Sequence, residues 1–295
     1  MTSEDIIYDR GYRRYDGPRL GISGARRAVI ADGIRRVLGL RRKARRKILP
    51  WTLLAIAVAA AIVFVGFHFA AGRLGVDDPS ILPRYGELFD FFSWIGILFI
   101  ALAGPTLLIP DRTQGVFAVY FSRPLTVSAY LQGKLAAFLG VTALIYLLPQ
   151  VGLHLGLAFL SDEGFFAYLW SNLDVLWKVP VVTLGYLALH GGLVTAIAAV
   201  VGRTGAAAAI FLGILTAGGS VASRIGLLDA PFAKYVTLLA LDQHPRIVRD
   251  WVFGIITDEY PARAVGFEPW VSVLVIVVVA LGSWWFVHSR YRRLA

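Results

Sequence analysis

Six apolar blocks limit what this chain can fold into: about Trp51–Ala71, Phe89–Ile109, Leu135–Leu160, Val179–Val201, Gly205–Leu228 and Val271–His288. Each is a continuous run near or above the ~18 residues that read as a membrane-crossing helix. A soluble domain would instead place its apolar residues in an amphipathic rhythm. The balance of residues agrees: 57% are apolar, only 16% are charged and the mean hydropathy is +0.67. Soluble domains carry about a quarter charged residues. The 295 residues are therefore expected to form an all-α polytopic membrane protein with six transmembrane helices.

Charge orients the spans. The segment before the first block holds 14 Lys and Arg, the connection after the second holds three, Arg203 follows the fourth, and three more follow the last. The alternate connections, counted with Asp90 at the edge of the second block, carry 13 of the 19 carboxylates. The positive-inside rule then places both termini and the 110–134 connection in the cytoplasm, in a cell membrane. A net charge of +10 would suggest nucleic acid if it covered a soluble surface, but here it abuts the bilayer, and no nucleic-acid partner is expected. The chain has no cysteine, which excludes disulfides and thiolate chemistry. The first apolar block begins after about fifty residues and exceeds the ~7–15 of a signal core, so it reads as an anchor.

Read in order, residues 1–24 form a polar tail in which Tyr8, Tyr12 and Tyr15 alternate with Arg10, Arg13 and Arg14. It reads either as a solvated tail or as a docking segment. Over 25–49, Ile30, Ile34, Val37, Leu38, Ala44 and Ile48 recur near the helical period. Arg35, Arg36, Arg41, Arg42, Arg45 and Arg46 fill much of the remainder. This predicts a basic amphipathic helix lying on the anionic inner leaflet, worth roughly 1 kcal/mol per basic residue near the surface. Residues 50–288 hold the six spans, and 289–295 form a short basic tail. Within the spans, Gly104-Pro105 predicts a kink and Pro149 a bend. The outer segment 229–269 contains two apolar stretches too short to cross, around Asp242-Gln243-His244-Pro245, and predicts short re-entrant helices.

Several chemistries lack their signatures. There is no G-x-x-x-x-G-K-[ST] phosphate loop, no G-x-S-x-G, no H-E-x-x-H and no dinucleotide fingerprint, so no catalysis, cofactor or metal site is expected in this chain. The span interiors read as free of Asp and Glu, which argues against an ion-driven antiporter. His154 and His190 would form a proton or metal pair if their helices adjoined. More commonly each such histidine bonds a neighbouring helix. Arg224 reads as snorkelling to water.

The polar connection between the second and third spans is the most specific stretch. It breaks the helix at Pro110, turns polar at Asp111-Arg112 and re-enters an apolar helix after Lys134. Its backbone cannot lie in hydrocarbon, so it sits at a membrane surface. The order Pro110-Asp111-Arg112-x-x-Gly115, then Ser122-Arg123-Pro124-Leu125, then Tyr130-Leu131-x-Gly133-Lys134-Leu135 resembles the membrane subunit of type-2 ABC exporters. That family has an acidic–Arg pair, a Gly, a small–Arg–Pro–aliphatic step and a Leu-Gly-Lys in this place. Here Asp111 stands where Glu is more usual, and Gln132 replaces an aliphatic residue.

The resemblance implies a permease subunit of an ATP-driven exporter, paired with a second copy or paralogue and worked by a separate cytoplasmic ATPase that binds the ATP. The 110–134 hairpin would be the coupling element, and the 25–49 helix the elbow helix. The coupling residues would be Asp111, Arg112, Gly115, Phe117, Tyr120, Phe121, Arg123, Pro124, Tyr130 and Lys134. Gly115 permits a sharp entry and Pro124 a fixed bend, so that Phe117, Tyr120 and Phe121 would present one aromatic surface. Asp111 and Arg112 would pair with charges on the ATPase, and Lys134 would meet phosphate headgroups. Two other readings stay open: a secondary transporter or channel, and a membrane scaffold that recruits a partner through its basic tail.

Overall fold

A computed structural model describes residues 20–40, 45–76, 84–117 and 125–294, apart from 227, 229 and 231, together with single positions 17, 82 and 120. Helices dominate, and no strand occurs among the described residues. Six helices are long and apolar enough to cross a membrane: Lys47–Arg73, Tyr85–Thr113, Val127–Leu160, Val175–Val200, Thr204–Gly226 and Pro269–Arg292. They match the six apolar blocks in order, and most run a few residues further at their ends. An all-α, multi-pass architecture follows. One end of the bundle, here the basic end, carries the N-terminal helix Gly21–Val37 and the 110–134 connection. The far end carries the short helices Phe165–Ser171, Ala233–Val236, Gln243–Phe253 and Pro261–Ala264.

The second span is the axis of the bundle. Of its most apolar stretch 78% lies inside the protein, against 17% for the first and sixth spans, which leave most of their surface to their surroundings. Phe89 of this helix stacks on Tyr186 of the fourth span, with ring centres 6.2 Å apart. Gly104 meets Val194 so closely that a Cβ there would lie 2.7 Å from its methyl. Small residues permit such approach, the usual basis of packing among membrane helices.

The N-terminal helix ends sooner than its stripe suggests. It stops at Val37, a turn covers 38–40, and a new helix starts at Arg45 and continues into the first span. Gly39 is the cause. It adopts φ +65°, its N–H bonds the Arg36 carbonyl, and the Leu40 N–H bonds the Arg35 carbonyl at 2.7 Å. This is the paired closure that glycine makes at a helix end. The single helix expected over 25–49 is therefore two.

Nor does this helix face only lipid. Val29, Gly33 and Val37 are buried, and the helix crosses the third span at two close approaches. A Cβ on Gly33 would stand 2.6 Å from the Ala137 methyl, and one on Gly133 would stand 2.8 Å from Val29.

The second span runs through Pro110 to Thr113, so the helix does not break at that proline. The break falls at Gly115, with φ +67°, where the Val116 N–H closes on the Asp111 carbonyl at 3.1 Å. The third span stays helical through Pro149. In the fourth and fifth spans the turns Leu187–Gly191 and Ile214–Gly218 widen to π geometry. Both lie beside the glycine pairs Gly191-Gly192 and Gly218-Gly219.

Candidate functional site

Below the 110–134 connection lies a cluster of charge that is enclosed except at Asp32, which stays half-exposed. Asp111, in the last turn of the second span, is 2% exposed, and Lys134, in the second turn of the third span, is 1% exposed. The Asp111 carboxylate accepts from Arg36 Nη1 at 2.6 Å through Oδ1. Through Oδ2 it meets Lys134 Nζ at 2.8 Å and accepts from the Tyr130 hydroxyl, also at 2.8 Å. Asp32, one turn before Arg36, pairs with Arg36 at 3.1 Å and with Lys134 at 3.4 Å. Two cations thus face two carboxylates supplied by three helices. Charges this deep persist only when paired and hydrogen-bonded. Burial opposes the Arg36 charge, but Asp111 and Asp32 more than offset it and hold its pKa above the usual value.

Arg112 points the other way. Its Nη1 and Nη2 donate to the carbonyls of Ala199 and Val201, at the C-terminal end of the fourth span. Those carbonyls have no partner within their own helix and carry the negative end of its dipole, so a guanidinium suits them.

An aromatic cluster seals the site. Phe117, 9% exposed, stands edge-on to Tyr130 at 5.8 Å and to Tyr291 of the sixth span at 5.4 Å. Tyr120 tilts against Tyr130 at 5.5 Å.

Several expectations change here. Asp111 and Arg112 are spent on partners within the chain and do not stand out as charges for another protein. Lys134 is enclosed by Asp111 and Asp32 rather than set against headgroups. Phe117 turns inward on Tyr130, so it does not share an outward face with Tyr120. Arg36, expected at the leaflet, turns into the cluster, whereas Arg35 stays exposed. Gly115 does form the sharp turn. Phe121, Arg123, Pro124, Arg41 and Arg42 lie outside the described residues, as do the side chains of Arg45 and Arg46 and the tyrosines of the tail.

The sequence reading missed Asp32 and Tyr291. Asp32 is the only carboxylate in the basic stretch from 25 to 49, which is a readable signal. Tyr291 stands among Arg290, Arg292 and Arg293 with nothing in its surroundings to mark it.

A second ion cluster sits at the far end. Arg249 of the helix Gln243–Phe253 donates through Nε to Asp250 at 2.7 Å, through Nη1 to Asp90 at 3.0 Å and through Nη2 to Tyr260 at 3.0 Å. Tyr260 closes the circuit by donating to Asp250 at 2.9 Å. Asp90 belongs to the second span, so the span interiors are not free of carboxylates as expected. It is half-exposed and paired with arginine.

The two histidines do not pair. His154 Nδ1 bonds the Tyr85 hydroxyl at 2.7 Å, while His190 packs on Tyr186 and Phe211 at the π turn. Among the described residues, no group of three or more His, Cys, Asp or Glu is placed to hold a metal.

No protein-family model matches this chain, and no curated protein matches it.

Proposed function

We propose that this chain is the permease subunit of an ATP-driven exporter of the type-2 ABC class, in which the 110–134 connection takes up motion from a separate cytoplasmic ATPase. The observation that carries the reading is the root of that connection. Asp111 holds Arg36 and Lys134 together at 2.6 and 2.8 Å, joining the N-terminal helix, the central second span and the third span into one body. A push on the connection would then move three helices together, because a buried ion cluster with all its charges matched resists shear. Arg112 extends the linkage to the end of the fourth span. The motif residues thus act as the frame beneath a docking surface, and that surface would include the exposed tip at Thr113 and Gln114.

On this reading the basic end faces the cytoplasm, with both termini there, in the cell membrane. The chain performs no hydrolysis itself, and the partner binds the ATP. The first, fifth and sixth spans leave broad apolar faces that a second copy or a paralogue would cover in part. The Arg-rich N-terminal stretch would also meet anionic lipids.

The test is co-purification of the detergent-solubilised chain with its candidate ATPase, using Thr113→Glu and Val116→Glu at the tip and Asp111→Asn at the root. The tip variants should keep the unfolding temperature of the parent and release the ATPase. The root variant should retain some ATPase but lose the stimulation of its hydrolysis. Tip variants that bind like the parent, or transport that follows an ion gradient with no ATPase present, would sink the reading.

A further inference from the structure

At the far end the third span is longer than hydrocarbon requires. From Lys134, where the ion cluster marks one edge of the bilayer core, to Leu160 it rises about 39 Å at roughly 1.5 Å per residue. The core is ~30 Å thick, and headgroups bring a bilayer to ~40–45 Å. Roughly the last two turns of this span therefore stand in the far headgroup layer. The chain then turns over 161–164 and runs back beside those turns as the helix Phe165–Ser171. Phe165 packs on Phe159 with ring centres 4.7 Å apart, and Tyr168 on His154 at 5.8 Å. The short helix thus lies in the same layer.

Its two faces differ. Tyr168 turns inward, its hydroxyl 3.2 Å from that of Tyr85, which in turn meets His154 Nδ1 at 2.7 Å. Tyr85 is the first residue of the second span, so this tether joins three helices. Phe166 and Trp170, one turn apart, point away and are 82% and 78% exposed. Phe166 meets Phe165 edge-on at 5.3 Å, which carries the apolar surface back to the exposed Phe159. Towards the fourth span it continues into Leu176 and Trp177, also exposed. The neighbouring charges flank this face: Asp162 and Glu163 precede the helix, and Asp174, paired with Lys178 at 2.6 Å, follows it. Carbonyls of the last turn are occupied from within, Ala167 by the Ser171 hydroxyl at 3.0 Å and Tyr168 by Asn172 Nδ2 at 2.9 Å. Such closure suits a layer poor in water.

We propose that the helix Phe165–Ser171 is an interfacial anchor, its Phe166 and Trp170 face set into the lipid of the far leaflet where headgroups meet acyl chains. Aromatic side chains suit that boundary, because their ring bodies are apolar and an indole N–H finds a polar partner among headgroups and water. Continuity with the apolar outer surfaces of the third and fourth spans selects lipid over a second copy of the chain. Anchored there, the helix sets the depth of the third and fourth spans, and through Tyr85 that of the second. The inference requires the spans to cross a bilayer. It requires neither an ATPase nor a cytoplasmic basic end, so its failure leaves the coupling reading standing, and the reverse also holds.

The experiment places nitroxide labels on Phe166→Cys, Trp170→Cys and Glu163→Cys in the full chain, which has no native cysteine. The labelled proteins are reconstituted into phosphatidylcholine vesicles, and collisions with oxygen and with a water-soluble nickel chelate are measured by electron spin resonance. Relative to Glu163→Cys in the exposed turn, the other two labels should meet nickel severalfold less often and oxygen more often. Trp170→Phe gives a reading without a label. The fluorescence lost on passing from plain to brominated phosphatidylcholine should be smaller in this variant than in the parent, because one lipid-facing indole is gone. Nickel collisions at both positions equal to those at Glu163→Cys would put the face in water and overturn the proposal. So would bromolipid quenching that Trp170→Phe leaves unchanged. Labels that reach neither quencher and broaden one another between chains would overturn it as well, since a second copy would then cover the face.

Discussion

Asp111 shows how a legible residue can have an illegible role. Its place in the motif is plain in the sequence, but its partners Arg36 and Lys134 are 75 and 23 positions away, and nothing local says that either turns inward. Burial sets the magnitude. Asp111→Asn leaves two enclosed cations facing only Asp32, and loss of one member of a buried ion group costs about 3–5 kcal/mol. Tyr130→Phe removes a single hydroxyl donor to the same carboxylate, worth about 1 kcal/mol. Thermal unfolding of the purified variants should therefore separate them clearly, with Asp111→Asn falling much further. Adding Lys134→Met to Asp111→Asn should recover part of the loss, since one stranded charge is gone. Equal effects from the two single variants would mean that the cluster is hydrated and its charges are not truly enclosed.

His244 carries a second prediction at this scale. Its Nε2 donates to the Leu238 carbonyl at 2.9 Å, and in the neutral ring Nδ1 accepts from the Ser272 hydroxyl at 3.0 Å. Burial lowers its pKa below the ordinary 6.5, with the Leu238 carbonyl opposing. A depressed histidine lets the unfolded chain take the proton first. Its contribution is full above 6.5 and declines as pH falls towards the folded value. The unfolding temperature should drop on acidification from about pH 7 to about pH 5, and His244→Gln should flatten that drop.

At the scale of the element, the six apolar blocks gave the helices their place and order, because a run of apolar residues this long has few alternatives in lipid. Ends were harder to read. Pro110 looked like a stop, yet the helix passes it, since side-chain anchors at Asp111 and Arg112 hold the last turn in place and Gly115 provides the termination. Gly39 similarly divides a stripe whose spacing continues past it. The two kinds of glycine should respond oppositely to alanine. Gly39→Ala forces a side chain into a left-handed conformation and should cost about 1–2 kcal/mol. Gly140→Ala, within the third span with nothing inside 4 Å of the added methyl, should be neutral or gain up to about 1 kcal/mol. Their unfolding temperatures should move in opposite directions.

The far-end helix offers a comparable contrast. Arg249 joins Asp90, Asp250 and Tyr260, with Arg246 adding a longer contact to Asp90 at 3.7 Å. Arg249→Met should raise amide exchange across 243–268 while leaving the third span protected. Uniform loss of protection would show that the helix is not a separate unit. The sequence marked 229–269 as too short to cross, but the arginine latch that ties it to the second span could not be read, because it spans 159 positions.

For the molecule as a whole, the sequence did not reveal which helix is central. All six blocks are strongly apolar, and a residue facing lipid is chemically like one facing another helix, so hydropathy cannot separate the buried second span from the exposed first. What composition does address is orientation, through the placement of Lys and Arg. The fold gives that bias a sharper form. The N-terminal helix is fixed to the third span by Gly33, Gly133 and the Asp111 cluster, so its arginines and the 110–134 connection must share one side of the membrane. The termini then cannot be assigned independently of the connection.

The lack of native cysteine makes this directly measurable with single-cysteine variants. Leu294→Cys lies at the exposed basic end, and Glu163→Cys lies on the exposed loop before the helix Phe165–Ser171. A membrane-impermeant maleimide added to intact cells should label Glu163→Cys and reach Leu294→Cys only after the membrane is opened. Labelling of Leu294→Cys from outside would invert the molecule and remove the ATPase from reach of the connection. The labelling experiment thus bears on the proposed coupling before any partner or cargo has been identified.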